Sequence, residues 1–107
     1  MTLEGLTKMH KLEVVVSGTE AAQVRRLFES AGATGYTAVS GVSGLGHHGF
    51  HQGRLLFNEQ DTLALLITVV PEEKAEALIA GLRPFLEEAS GVMFVSETYV
   101  SRPEYFK

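Results

Sequence analysis

The chain has 107 residues, of which 45% are hydrophobic and 21% charged, a composition typical of one globular domain spanning residues 1–107. The net charge of −4 argues against a nucleic-acid partner, because no basic stripe can replace the counterions of phosphates. The absence of cysteine excludes disulfides, thiolate catalysis and cysteine-bound zinc. With no apolar run of signal-peptide or membrane-spanning length, we expect a cytoplasmic protein that contacts a membrane only through a partner.

The first half of the chain predicts a strand, a helix and a second strand. Residues 1–10 are interpreted as a polar lead-in, and the β-branched residues at 11–17 predict the first strand. Thr19 is the expected N-cap of the helix, which ends at Gly32. Apolar alternation from Tyr36 predicts the second strand, which continues into a glycine-rich surface loop whose backbone N–H groups can approach a ligand.

The second half of the chain predicts a third strand, a second helix and a fourth strand. A third strand is predicted over residues 61–70, with apolar side chains on both faces. The following helix starts at Pro71, and Pro84 is expected to kink it or to split it near Gly81. A fourth strand is predicted over residues 92–96, followed by an irregular tail.

The predicted order of elements is β-α-β-β-α-β. This order is that of the ferredoxin-like α+β fold, in which two helices cover one face of a four-stranded antiparallel sheet. The uncovered face would be apolar here, and an exposed apolar face of that extent indicates a subunit interface. The sequence therefore predicts an oligomer.

Two glycine-containing motifs carry a family resemblance. Gly35-Tyr36-Thr37 followed by Gly44-Leu45-Gly46 resembles the G-x-T…G-F-G pattern of the PII signal-transduction family. Val69-Val70-Pro71 and Phe94-Val95 extend the likeness over about residues 11–102, and within the family the chain is most similar to the carboxysome-associated PII-like proteins. The resemblance implies a homotrimer that holds an adenine nucleotide in each cleft between subunits.

The resemblance also implies which segments form the site. They are a long T-loop at residues 43–61, a short B-loop at residues 89–92 and the C-terminal segment, from which Arg102 would reach a phosphate across the subunit boundary. The implied nucleotide-binding residues are Gly35, Tyr36, Thr37, Gly44, Leu45, Gly46, His47, Ser90, Gly91, Val92 and Arg102. Ser90 and Val92 stand where the family has an aspartate and a lysine. We therefore expect ADP or AMP to bind at least as well as ATP.

A second ligand, bicarbonate, is implied by the resemblance to the carboxysome-associated group. Candidate residues for this anion are Gly41, Val42, Ser43 and Arg54. The implied function is a regulator, not an enzyme, whose T-loop becomes ordered by its ligands. Its unidentified protein target, such as a bicarbonate transporter or a carboxysome-related protein, would link it to inorganic-carbon uptake or carboxysome-related metabolism.

Two other functions on the same topology stay open at this point. His47, His48 and His51 form an H-H-x-x-H cluster, which would suit a trimeric divalent-metal-binding protein of the CutA type, although a mobile loop is a poor metal site. A small acylphosphatase-like enzyme is the other alternative, but no arginine follows the first strand until Arg25. The G-x-G-x-x-G match at residues 44–49 opens no helix and so does not indicate a Rossmann fold.

Overall fold

The computed structural model describes residues 3–42 and 62–107, so the predicted T-loop lies outside the described residues. The sheet has the strand order β2-β3-β1-β4, and every neighbouring pair is antiparallel. The six main elements are β1 (Thr7–Ser17), α1 (Ala21–Ser30), β2 (Thr37–Val42), β3 (Leu63–Val70), α2 (Glu72–Glu88) and β4 (Val92–Val100). The predicted ferredoxin-like fold is confirmed.

The hydrophobic core lies between the sheet and the two helices. Alternate residues of β1 point into it, because successive strand side chains point to opposite faces. Its largest fully buried apolar residues come from β1, α1, β3 and α2, and they are Leu12, Val14, Val16, Val24, Phe28, Leu66, Val70, Leu78 and Leu82. One face of each helix and one face of the sheet are thereby removed from water.

The opposite face of the sheet carries apolar side chains without cover from the described residues. Val15 lies between the buried Val14 and Val16 and pairs with Val92 of β4. Val92 and its neighbour on the same face, Phe94, are 48% and 57% exposed. The predicted apolar open face is therefore present.

The predicted start of the first strand and the predicted end of the fourth strand were wrong. β1 begins at Thr7, inside the expected lead-in, and β4 continues to Val100, into the expected irregular tail. The two extensions pair with each other, with Thr7 opposite Val100 and His10 opposite Glu97. Each extension is a strand because the other supplies its hydrogen bonds, and local sequence patterns do not reveal a partner about 90 residues away.

The end of α1 follows the prediction, but its start does not. Gly32 has φ 91° and its N–H bonds Glu29 O, while the next N–H bonds Phe28 O, which is a Schellman ending. At the start, a 3-10 turn precedes the helix, and the Ser17 hydroxyl accepts from the Thr19 N–H at 3.2 Å. Ser17, not Thr19, therefore caps this segment.

Helix α2 is continuous from Glu72 to Glu88, so the predicted split near Gly81 is absent. Pro84 removes only the N–H that would bond the carbonyl of Ala80. Both residues are exposed, so water can bond that carbonyl. The buried residues Leu78 and Leu82 hold the other side of the helix against the sheet.

Candidate functional site

An open cleft of about 180 Å³ lies where the segment before β2 meets β3 and the C-terminal turn Pro103–Tyr105. Its lining combines three aromatic rings with aliphatic side chains and threonine hydroxyls, a mixture that suits a flat heterocycle with polar edges. The lining residues are Thr34, Gly35, Tyr36, Thr37, Ile67, Thr68, Val69, Tyr105 and Phe106. Complete small-molecule sites enclose about 300–1,000 Å³, so this cleft offers only part of a binding site.

The segment 35–37 is fixed from behind by the core. Thr68 is only 2% exposed, and its hydroxyl donates to Gly35 O at 2.6 Å. The Tyr36 ring packs against Phe28 with 6.2 Å between ring centroids. Thr37 opens β2 and pairs with Ile67. The cleft wall is therefore held in place before any ligand binds.

The surface above Gly35 is free for a ligand to approach the backbone. A Cβ atom added at Gly35 would meet no atom of the described residues within 4 Å. The absence of a side chain is thus not required by packing. A ligand that contacts this backbone directly would require a residue without a side chain at this position.

The C-terminal turn forms the opposite wall, and Arg102, just before this turn, contacts the Tyr105 side chain. The Thr34 hydroxyl donates to Tyr105 O at 2.8 Å, which fastens the turn to the segment before β2. Arg102 donates from Nη1 to the Tyr105 hydroxyl at 3.2 Å, and its Cζ lies 5.5 Å from the centre of the same ring. The guanidinium is therefore held beside the aromatic lining.

The predicted B-loop residues lie elsewhere. Residues 90–92 lead into β4, one edge strand, whereas residues 35–37 lead into β2, the other. With two strands between them, the edges are separated by roughly 14 Å, or three strand spacings. Within one protomer, the structure therefore places residues 35–37 and Tyr105, which Arg102 contacts, around one cleft and leaves residues 90–92 at the other edge. The reach of Arg102 to a phosphate across the subunit boundary stays a prediction.

Gly91 has a packing role that the sequence did not reveal. A Cβ atom there would lie 2.6 Å from Val16 Cγ1, 2.7 Å from Leu86 Cδ2 and 3.0 Å from Val15 O. Such distances are far inside van der Waals contact. Gly91 therefore lets the 90–92 segment lie directly on β1, whatever else it contacts.

Among the candidate anion residues, Gly41 and Val42 end β2. The pairing with β3 shifts between Ser40 and Val42, and Gly41 adopts φ 73° at that bulge. Eight other predicted site residues lie outside the described residues: Ser43, Gly44, Leu45, Gly46, His47, His48, His51 and Arg54. The placement of these eight stays a prediction.

Several cleft residues were missed by sequence reasoning. Ile67 was predicted only as a strand residue, Val69 only as part of a strand and of the family resemblance, and Tyr105 and Phe106 only as part of an irregular tail. Thr68 carried a usable signal, because a polar residue on a strand face that is otherwise apolar needs a hydrogen-bond partner. That partner is the carbonyl of Gly35, one of the predicted site residues.

Two further structural findings apply to residues 3–42 and 62–107. In these ranges, no three histidine, aspartate or glutamate side chains gather as metal ligands would. Neither of the two α-helices there is both long enough and apolar enough to cross a membrane.

Comparison with known families identifies the family of this chain. The chain matches the sequence profile described as Nitrogen regulatory protein P-II over residues 9–105. It belongs to the PII family. PII proteins are signalling proteins that assemble as trimers and bind small-molecule effectors. The match favours the PII interpretation over the CutA-type and acylphosphatase-like alternatives.

Solved structures give the relationship more detail. CPII, a nitrogen regulatory PII-like protein from Thiomonas intermedia K12 bound to ADP, AMP and bicarbonate, is 42% identical, with a TM-score of 0.82 over 94% of this chain and 95% of that one. CPII bound to ADP, AMP and acetate is 40% identical over 94% and 96% of the two chains, with a TM-score of 0.79. The GlnK–ATP complex of B. subtilis, at 17% identity, 94% and 86% coverage and a TM-score of 0.60, shares the fold. No curated protein matches the sequence.

Proposed function

We propose that this protein is a cytoplasmic PII-like regulator that binds ADP or AMP, and also ATP, in clefts between the subunits of a homotrimer. The observation that carries the proposal is the cleft beside Gly35, which has a preformed aromatic wall, an adjacent arginine and too small a volume to enclose a nucleotide alone. The 42% identical CPII, bound to ADP, AMP and bicarbonate, supports the choice of ligand.

In this proposal a neighbouring subunit supplies part of what the cleft lacks. Residues 90–92 lie at the other edge of the same sheet, and a second protomer that brings its own residues 90–92 to the cleft would extend the site. The apolar open face, with Val92 and Phe94 exposed, is the surface that trimer formation would remove from water.

The charges near the cleft favour short phosphate chains. Arg102 is the cation that the described C-terminal turn places beside the lining. The predicted B-loop contributes Ser90 and Val92 and therefore no charge. Each missing cationic contact removes a charge-assisted hydrogen bond of about 1.5–3 kcal/mol, so the third phosphate of ATP gains little over ADP.

Bicarbonate is the proposed second ligand, near Gly41, Val42, Ser43 and Arg54. CPII has been solved with bicarbonate and, separately, with acetate, two small anions with a planar pair of oxygens. We propose that both ligands favour one arrangement of residues 43–61, through which the protein engages a target in inorganic-carbon uptake or carboxysome-related metabolism. Each ligand must then tighten the other by the same factor.

Calorimetric titration tests both parts of this proposal. ADP is titrated into the protein with bicarbonate and, at equal ionic strength and pH, with chloride. We expect saturable ADP binding in both buffers and a lower Kd with bicarbonate. No saturable binding of ADP or AMP would overturn the nucleotide assignment, whereas equal affinities in the two buffers would overturn only the coupling to bicarbonate.

A further inference from the structure

We propose that Tyr105 and Thr34 are positioning residues that hold the Arg102 guanidinium ready for a nucleotide phosphate. This inference rests on the proposed nucleotide function. Four contacts connect the cleft wall to Arg102 through Tyr105.

Tyr105 is fixed by hydrogen bonds to both of its backbone polar groups. Its N–H bonds Arg102 O at 3.1 Å within the C-terminal turn, and its carbonyl accepts from the Thr34 hydroxyl at 2.8 Å. Both backbone polar groups of Tyr105 are therefore engaged. The bond to Thr34 spans 71 positions of sequence, so Thr34 ties the turn to the segment that forms the cleft.

The Tyr105 side chain in turn contacts the Arg102 guanidinium in two ways. The guanidinium lies over the ring at 5.5 Å and donates from Nη1 to the ring hydroxyl at 3.2 Å. A guanidinium has five N–H donors in a rigid fork. Use of Nη1 leaves the edge formed by Nε and Nη2 available for two parallel bonds to a phosphate.

An Arg102 side chain that is already ordered should bind a nucleotide phosphate more tightly. An exposed arginine loses rotamer freedom when it binds a phosphate, and an arginine that is already ordered loses less. Because this gain acts through Arg102, it applies only to ligands whose phosphate Arg102 reaches. Loss of the Tyr105 hydroxyl should therefore weaken ADP binding more than AMP binding, and AMP binding more than adenosine binding.

The test compares Kd values for adenosine, AMP and ADP in the full-length protein and its variants. Tyr105→Phe keeps the ring and removes the bond to Arg102, and we expect the ratio of the Kd for ADP to the Kd for adenosine to rise about three- to tenfold. Tyr99→Phe removes an exposed tyrosine hydroxyl outside the cleft and is the matched control. Thr34→Val should follow the pattern of Tyr105→Phe, and Thr34→Ser, which keeps the hydroxyl, should restore ADP binding.

A double variant decides whether Tyr105 acts through Arg102. In an Arg102→Ala background, Tyr105→Phe should cause no further loss of ADP affinity, because the group it positions is gone. Equal weakening of adenosine and ADP by Tyr105→Phe, or additive losses in the double variant, would overturn the inference while wild-type ADP binding still supports the nucleotide function. Absence of ADP binding to the wild type would instead overturn the proposed function and this inference with it.

Discussion

The segments 35–37 and 90–92 both carry a glycine that the family resemblance assigns to nucleotide binding, yet the structure gives the two glycines opposite surroundings. A Cβ at Gly35 would project into open space, whereas one at Gly91 would overlap Val16 and Leu86 of the core. Gly91 is therefore required by packing in this structure. Gly35 has no such requirement within the described residues, and the proposed nucleotide is what would require its lack of a side chain.

This difference separates stability from binding along the same proposed site. A substitution at the packed segment should act on folding, and one at the open segment should act on affinity. Four substitutions test this division.

The largest effect is expected at the packed segment. Gly91→Ala forces Val16, Leu86 or the β1 backbone to shift, and overpacking of this kind costs about 1–3 kcal/mol. Urea unfolding of variant and wild type at one fixed protein concentration measures the change, since the stability of an oligomer depends on concentration. If the free energies of unfolding of the variant and the wild type differ by less than about 0.5 kcal/mol, the range typical of surface substitutions, the close packing at Gly91 is contradicted.

A smaller loss of stability is expected where β2 ends. Gly41 has φ 73°, and a residue with a Cβ in that left-handed region costs about 1–2 kcal/mol. Gly41→Ala should therefore lower the free energy of unfolding, and Gly41→Asn, which tolerates this conformation, should recover most of the loss. Identical unfolding curves for the two variants would contradict the strain argument.

At the open segment the expected loss is in affinity. Gly35→Ala meets no neighbouring atom within 4 Å, so its unfolding curve should match the wild type within about 0.5 kcal/mol. Its Kd for ADP should rise about tenfold, or 1.4 kcal/mol, because the added methyl group keeps the ligand from the backbone. Unchanged ADP binding measured by calorimetry would remove Gly35 from the site.

The smallest effect is expected behind the cleft wall. Thr68→Val removes the hydroxyl that donates to Gly35 O, and the loss of one such bond costs about 1 kcal/mol. Both stability and ADP affinity should fall slightly, because the bond is partly buried and also fixes the segment 35–37. Thr68→Ser retains the hydroxyl and should keep the wild-type ADP affinity; equal losses of ADP affinity in both variants would contradict a role for the hydroxyl, because Thr68→Ser still carries it.

The order of the elements could be predicted from the sequence because hydrophobic periodicity, the helix end at Gly32 and the helix start at Pro71 all depend on local sequence. It missed the outer halves of β1 and β4, which form strands only because Thr7 and Val100 meet across the sheet. For the site, the motif around Gly35 was found by resemblance. The opposite wall was missed because a long-range hydrogen bond from Thr34 holds Tyr105 there. Nothing in the local sequence of the tail indicates that contact.

The central claim is that each nucleotide site is shared between two subunits, and mixed trimers test it most directly. Gly35→Val blocks the open segment of one protomer, and Ser90→Glu places a carboxylate at the exposed start of the 90–92 segment. Trimers of either variant alone should bind no ADP. Co-refolded at equal amounts, with mixing verified by native mass spectrometry, they should recover about a quarter of the sites, since random assembly pairs one intact segment of each kind at that frequency. Mixed trimers that bind no ADP would contradict the account.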